Sequence, residues 1–183
     1  MTSAGFLGRF QPLHRGHAHV IDEYREEFDE FRLIVGSADK KRTEKNPLSF
    51  EERKNLIHDC YPDIEVIALE DTEKDEDGNR EWAGNLEELD LDVIITQNEL
   101  VKSILAEHTD MEVIEQEFHD KDIYSGTEVR RRIKSKEEWR YLTPDCAKER
   151  IEEFLETIRD SGIEYDFEPG WEPKNAYHGT ADK

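Results

Sequence analysis

Ala4-Gly5-Phe6-Leu7-Gly8-Arg9-Phe10-Gln11-Pro12-Leu13-His14-Arg15-Gly16-His17, continuing in a helical pattern to Phe28, is the stretch that decides the fold. Ala4 to Leu7 is short and apolar, as a buried strand is, and Ala18, Ile21, Tyr24 and Phe28 recur at helical spacing behind it. Strand, loop, helix in that order puts the loop at the carboxyl end of a strand, where open α/β sheets bind ligands. The helix that follows offers backbone N–H groups and the positive end of its dipole, which together can seat a phosphate. Gly8 and Gly16 permit close backbone approach, Pro12 stiffens the turn, Arg9 brings a forked donor, and His14 and His17 add side-chain donors. Two histidines at i, i+3 would by themselves suit a helix cap or a fragment of a zinc site; the surrounding loop favours phosphate.

Outward from this stretch the alternation repeats. Phe31 to Val35 reads as a second strand, Gly36 to Leu48 as a polar loop, and Ser49 with Glu52 as a capping box that opens a helix carrying Phe50, Leu56 and Ile57. Ile64 to Leu69, Val93 to Thr96 and Met111 to Ile114 are further strands, separated by a short helix over Trp82 to Leu89 and another over Leu100 to Glu107. Strands alternating with helices require right-handed crossovers and a parallel sheet. The expected class is α/β: a Rossmann-like, parallel, five-stranded sheet with helices on both faces. A helical C-terminal extension follows, over Thr127 to Ile133, Glu137 to Tyr141, and Pro144 to Arg159 with Thr143 as its cap. The acidic run Glu70 to Glu81 reads as a solvated loop, without EF-hand spacing. Residues 161–183 read as an irregular acidic tail that docks through Trp171 and Tyr177.

Composition narrows the partners. Among 183 residues, 25 Lys and Arg face 46 Asp and Glu, a net charge of −21, which repels nucleic-acid phosphates and anionic lipids alike. So neither nucleic acid nor membrane is expected as a partner. An acidic surface on a folded chain suits a salt-rich host, and a melting temperature that failed to rise with KCl would contradict that expectation. With no long apolar segment at the start and none of spanning length elsewhere, the expected location is cytoplasmic. Cys60 and Cys146 lack metal spacing and are expected to be reduced, buried thiols. Against the acidic background, Arg9, Arg15, Lys40, Lys41, Arg42, Lys45, Arg53 and Arg130 to Arg132 gather in loops after strands, a positive exception that fits a triphosphate. Ser125 and Thr127 are cap types opening a helix. Three arginines at such a start would oppose its dipole unless an anion were bound there.

The decapeptide GRFQPLHRGH, Gly8 to His17, resembles the HxGH signature of the nucleotidylyltransferase superfamily, in the longer form found in archaeal nicotinamide-nucleotide adenylyltransferases. Further blocks are similar in order: Gly36-Ser37-Ala38, Asn46-Pro47-Leu48 leading to Glu52-Arg53, and Tyr124-Ser125-Gly126-Thr127-Glu128-Val129-Arg130-Arg131-Arg132, which resembles the superfamily's second motif. The likeness runs from about Gly5 to Ile158 and implies one nucleotidylyltransferase domain over residues 1–160.

The resemblance also implies a reaction. The 5′-phosphate of nicotinamide mononucleotide (NMN) attacks the α-phosphorus of ATP, giving NAD and pyrophosphate with no covalent enzyme intermediate. It assigns His14, His17 and Arg130 to catalysis, with His17 nearest the α-phosphate. ATP would be held by Gly8, Arg9, Phe10, Gln11, His14, Gly16, His17, Tyr124, Ser125, Thr127, Arg130 and Arg131. NMN would be held by Lys45, Arg53, Asn98 and Trp82, the last by stacking its indole on the cationic base. A magnesium ion is implied, carried mainly by the ATP phosphates with no protein ligand named, and so is a homo-oligomer. Three places depart from the family pattern: Ser49-Phe50-Glu51-Glu52-Arg53 stands for Thr-Ala-Gly-Glu-Arg and loses the glycine while keeping Arg53, Lys45 stands for an arginine, and Asn98-Glu99 for Asn-Pro. The residues also leave open transfer from ATP or CTP to another phosphorylated acceptor, such as phosphopantetheine or a phosphoalcohol, and a nucleotide-binding module without turnover.

Overall fold

The computed structural model describes residues 1–115 and 123–160. Within them the strands are β1 (Ser3–Gly8), β2 (Glu30–Val35), β3 (Glu65–Ala68), β4 (Val93–Thr96) and β5 (Glu112–Glu115). The helices are α1 (Arg15–Tyr24), α2 (Phe50–Cys60), α3 (Glu76–Glu87), α4 (Glu99–His108), α5 (Gly126–Lys134) and α6 (Asp145–Asp160), with a 3-10 turn at Arg140–Leu142. The chain weaves between two compact units: Met1–Arg9, His19–Asp39 and residues 63–115 make the first, and Phe10–Ala18, Lys40–Pro62 and residues 123–160 make the second.

The first unit holds the sheet, which is parallel throughout in the order β3-β2-β1-β4-β5. This is the expected α/β class. Its central strands β1 and β4 are buried almost throughout because the middle of a parallel sheet is covered on both faces. The chain steps one way from β1 to β2 to β3 and the other way from β4 to β5, so right-handed crossovers place α1 and α4 on opposite faces. On one face Leu7, Ile34 and Ile94 join Leu69, Leu86, Leu91 and Leu105 in a core cluster, with Trp82, Val101 and Val113 packed against it. Each such burial contributes about 1.5–3 kcal/mol. Gly8 ends β1, and Asn98 follows the end of the neighbouring strand β4.

The acidic run is where the sequence reading fails in this unit. Asp75 caps α3 by accepting the Gly78 N–H at 2.7 Å, and Glu76 and Asp77 fill the first turn, where the dipole favours them. Half of the expected solvated loop is therefore helix. Gly78 hid the signal, since glycine weakens a helical pattern, yet a Cβ there would lie 2.1 Å from the Glu73 carbonyl oxygen.

In the second unit α2 packs on α6. Ser49 and Glu52 form the expected capping box at the start of α2, and Leu56 and Ile57 are buried. Along α6, Ile151, Leu155 and Ile158 form the buried stripe. The cysteines overturn their expectation: Cys60, the last residue of α2, is disulfide-bonded to Cys146 in the first turn of α6, with Cα atoms 5.3 Å apart. Arg150 of α6 also pairs with Asp59 of α2. A count of two cysteines carries no information on which helices pack, and helix packing is what brings this pair together. The tail and its docking residues Trp171 and Tyr177 lie outside the described residues. Among the described residues no helix is long and apolar enough to cross a membrane.

Candidate active site

The second unit collects the loop Phe10–His14, the start of α1 and the start of α5. Phe10 has φ of 51°, a left-handed conformation that costs an L-residue about 1–2 kcal/mol, and its buried ring lies 4.4 Å from the His17 ring. The His17 ring in turn stacks on His14, with centroids 3.7 Å apart.

The two histidines cap α1 reciprocally. His17 N–H donates to His14 Nδ1 at 3.4 Å, and His14 N–H donates to His17 Nδ1 at 3.3 Å. This is the arrangement of a capping box, with imidazoles in place of serine and glutamate. It starts α1 at Arg15, two residues earlier than the apolar period suggests. An Nδ1 that accepts carries no hydrogen, so each neutral ring bears its proton on Nε2. Burial first, and the Arg130 guanidinium second, push the His14 pKa down to about 3. Burial and the neighbouring His14 hold His17 well below the ordinary histidine value. Both rings are therefore neutral at physiological pH, each an N–H donor at Nε2. The cap reading of the i, i+3 pair is met by the two Nδ1 atoms, and the Nε2–H groups are donors of the kind that the phosphate reading calls for.

Ser125 caps α5 by accepting the Glu128 N–H at 3.1 Å. Tyr124 precedes it, half-buried. Arg130 donates through Nη1 to the Gln11 carbonyl at 2.6 Å and through Nη2 to Thr127 Oγ1 at 3.3 Å. Gly126 allows this approach: a Cβ there would sit 3.1 Å from the Gln11 oxygen. His14, His17, Gly16, Thr127 and Arg130 thus share one locality with Phe10 and Gln11.

The three arginines divide. Arg131 and Arg132 lie in the last turn of α5, where the dipole favours cations, and Arg130 is its middle residue, so the unfavourable placement expected at the helix start does not occur. Arg131 donates to both carboxylate oxygens of Glu128 and both of Glu137, at 2.7–3.0 Å. Arg132 bonds Glu128 and the Glu138 carbonyl and lies over the Tyr141 ring. Only Arg130 of the three reaches the loop that carries the histidines. Arg131, expected at ATP, is paired with the Glu128 and Glu137 carboxylates.

Other expected residues are placed as follows. The side-chain amide of Gln11 is engaged by the Leu48 main chain, at 2.8 and 2.9 Å. Arg15 donates to the Tyr141 carbonyl at 2.8 Å, and Arg42 grips Glu52 with both terminal nitrogens. Arg53 is fully buried and its Nε donates to the Ser49 carbonyl at 3.2 Å, whereas Lys45 is exposed. Gly8, Arg9, Trp82 and Asn98 belong to the first unit. There Asn98 caps α4 by accepting the Leu100 N–H at 3.0 Å, and Glu99 pairs with Lys102 at 2.6 Å. An acidic residue is as suited to that first helical position as proline is, so the departure from Asn-Pro keeps the helix start. The sequence reading missed Leu48 as an anchor; an apolar residue placed directly after Asn46-Pro47 was its one visible sign.

The cytidylyltransferase-like family model matches residues 6–136. A nicotinamide-nucleotide adenylyltransferase of Haloarcula marismortui is 33% identical over 85% of this chain and 86% of its own length. One from Methanococcus aeolicus is 35% identical over 76% of this chain and 81% of its own. Among solved structures, a bifunctional NMN adenylyltransferase/ADP ribose pyrophosphatase from Francisella tularensis superposes with a TM-score of 0.70 at 20% identity, covering 89% of this chain, which spans 51% of that longer protein. The last comparison speaks for the fold. The matched residues 6–136 include both histidines and Arg130, and with the two archaeal sequences they place this chain in the cytidylyltransferase-like family, among the archaeal nicotinamide-nucleotide adenylyltransferases.

Proposed function

We propose that this chain transfers the adenylyl group of ATP to the 5′-phosphate of NMN, forming NAD and releasing pyrophosphate. The observation that carries the mechanism is the reciprocal histidine cap, which engages both Nδ1 atoms and puts each ring's proton on Nε2, with His14 close enough to the Arg130 guanidinium to feel its charge. The nucleophile is a phosphate oxygen already bearing charge, so no side chain has to be activated. What remains is to align two polyanions in line and to stabilise the charge that grows on the α-phosphate and the leaving pyrophosphate. His14 and His17 donate to phosphate oxygens without adding or removing a proton. Arg130, held by Gln11 and Thr127, supplies the fixed positive charge at the β- and γ-phosphates, and the N–H groups at the start of α5 supplement it.

Among the described residues no three His, Cys, Asp or Glu side chains are grouped to hold a metal ion. Two Nε2-protonated imidazoles and a guanidinium are phosphate donors and not metal ligands, so a magnesium ion would be held by ATP's own phosphate oxygens and would supply charge neutralisation there. Lys45, Arg53, Trp82 and Asn98 are the residues that the family pattern gives to NMN, and their assignment rests on that pattern.

Incubation with ATP, NMN and magnesium in concentrated KCl tests the reading, with NAD measured by its enzymatic reduction. NAD formation at the rate of pyrophosphate release is expected. Pyrophosphate release with phosphopantetheine or a phosphoalcohol in place of NMN would reassign the acceptor, and release with no acceptor tried would sink the enzyme reading.

A further inference from the structure

We infer that Gln11 is a positioning residue for ATP: its buried amide, clamped to the Leu48 main chain, fixes the carbonyl that sets the Arg130 guanidinium. The inference rests on the reading that Arg130 meets the triphosphate. Gln11 is 2% exposed. Its Nε2 donates to the Leu48 carbonyl at 2.8 Å while its Oε1 accepts the Leu48 N–H at 2.9 Å, so one side chain makes both bonds of a strand-like pair. Its own carbonyl accepts the Arg130 Nη1–H at 2.6 Å. Leu48 is itself braced, because Arg42 donates to the adjacent Pro47 carbonyl at 2.8 Å and grips Glu52.

Any residue at position 11 would present a carbonyl to Arg130. Few could hold that carbonyl in place, because the clamp requires a donor and an acceptor side by side at this reach, and both must be satisfied once buried. A guanidinium tied at the Gln11 oxygen and at Thr127 Oγ1 has its plane set. Loosening the first tie lets it move, and displacing a positioned group by about 1 Å can cost about 10²-fold in rate. Gln11 thus joins three segments, the histidine loop, the loop before α2 and the start of α5, and acts on substrate only through Arg130.

Two variants test this. Gln11→Leu removes both clamp bonds. Gln11→Glu keeps the shape: protonated, the carboxyl can donate to the Leu48 carbonyl and accept its N–H, whereas ionised it sets two acceptors against that carbonyl. The charged groups nearby are Arg130 from α5 and the Arg42–Glu52 pair, and His14 stays neutral down to about pH 3. ATP affinity with magnesium, measured by titration calorimetry, and kcat and KM for both substrates are compared with wild type from pH 8 to pH 5.5. Gln11→Leu should weaken ATP binding about tenfold and lower kcat/KM for ATP about 10- to 100-fold at every pH. Gln11→Glu should match it at pH 8 and recover at least about fivefold, relative to wild type, as the introduced carboxyl protonates on acidification. ATP binding by Gln11→Leu within twofold of wild type, or a pH-independent ratio for Gln11→Glu, would overturn the inference. A role in stability alone would move the melting temperature without that pH-dependent recovery. Wild type making no NAD would overturn the proposed reaction instead, and the ATP titration would still decide on Gln11.

Discussion

Two helices of this chain begin with the same reciprocal cap, built from different residues. At α2, Glu52 N–H donates to Ser49 Oγ at 3.2 Å and Ser49 N–H donates to Glu52 Oε2 at 2.8 Å; the carboxylate is also held by Arg42. Those side chains have their polar atoms turned to the fold. At α1 the same loop of bonds runs through His14 Nδ1 and His17 Nδ1, at 3.4 and 3.3 Å. An imidazole has a second nitrogen on the far side of the ring, so the cap is made by one nitrogen and the proton sits on the other. The difference teaches that identical spacing can close a helix with side chains whose polar atoms are spent on the fold or with rings that carry a second polar atom beyond the cap, which is what the proposed phosphate contacts require.

Breaking the α1 cap should have the largest effect. On the proposed reaction His17→Ala removes the donor assigned to the α-phosphate, and kcat for NAD formation should fall by about 10²- to 10³-fold. Near-normal turnover by this variant would refute the site. His14→Asn sharpens the comparison, because asparagine is among the best N-cap residues but lacks the distal N–H. The melting temperature should stay within about 2 °C of wild type, since one cap replaces another. Turnover should still drop about 10²-fold, and a variant that lost stability and kept activity would reverse the roles assigned here.

How legible these features were in sequence depended on whether they are local. The sheet could be read because Ala4–Leu7, Phe31–Val35 and Val93–Thr96 are apolar runs broken by polar loops, and a buried parallel strand needs nothing more. Ser49–Glu52 and the cap at Ser125 were visible for the same reason. What stayed hidden depends on partners far along the chain. Arg130 meets the Gln11 carbonyl 119 residues back in the chain, so three arginines looked alike, although the pairing of Arg131 with Glu128 three residues before it was open to a local reading. Cys60 and Cys146 are 86 residues apart and meet only because α2 packs on α6. The start of α3 was missed locally, where Gly78 interrupted a helix that Asp75 caps.

A smaller effect lies in the pH dependence of stability. His14 titrates at about 3 when folded and near 6.5 when unfolded, so between these values the unfolded chain binds the extra proton. The stability linked to its neutral state is fully present above pH 6.5 and is lost progressively as pH falls towards 3. Carboxylates held low in the folded state, such as Glu52, lose stability in the same direction, so wild type alone does not isolate the histidine. The urea midpoint of wild type should fall faster than that of His14→Asn between pH 6.5 and pH 4. Parallel curves would mean that His14 is not held neutral by the fold.

The smallest effect is expected at the cap that presents nothing. Ser49→Ala removes the acceptor of the Glu52 N–H but leaves the Glu52 carboxylate bonded to the Ser49 N–H and to Arg42, so half of the box persists. Loss of a serine N-cap costs about 0.5–2 kcal/mol, a fall of a few degrees in melting temperature for a chain of this size. Turnover should change by less than about threefold, because the residue after Leu48 contributes its side chain only to α2. If kcat fell as far as in His17→Ala, the α2 cap would have to touch the phosphate site. The two caps would then differ in degree and not in kind.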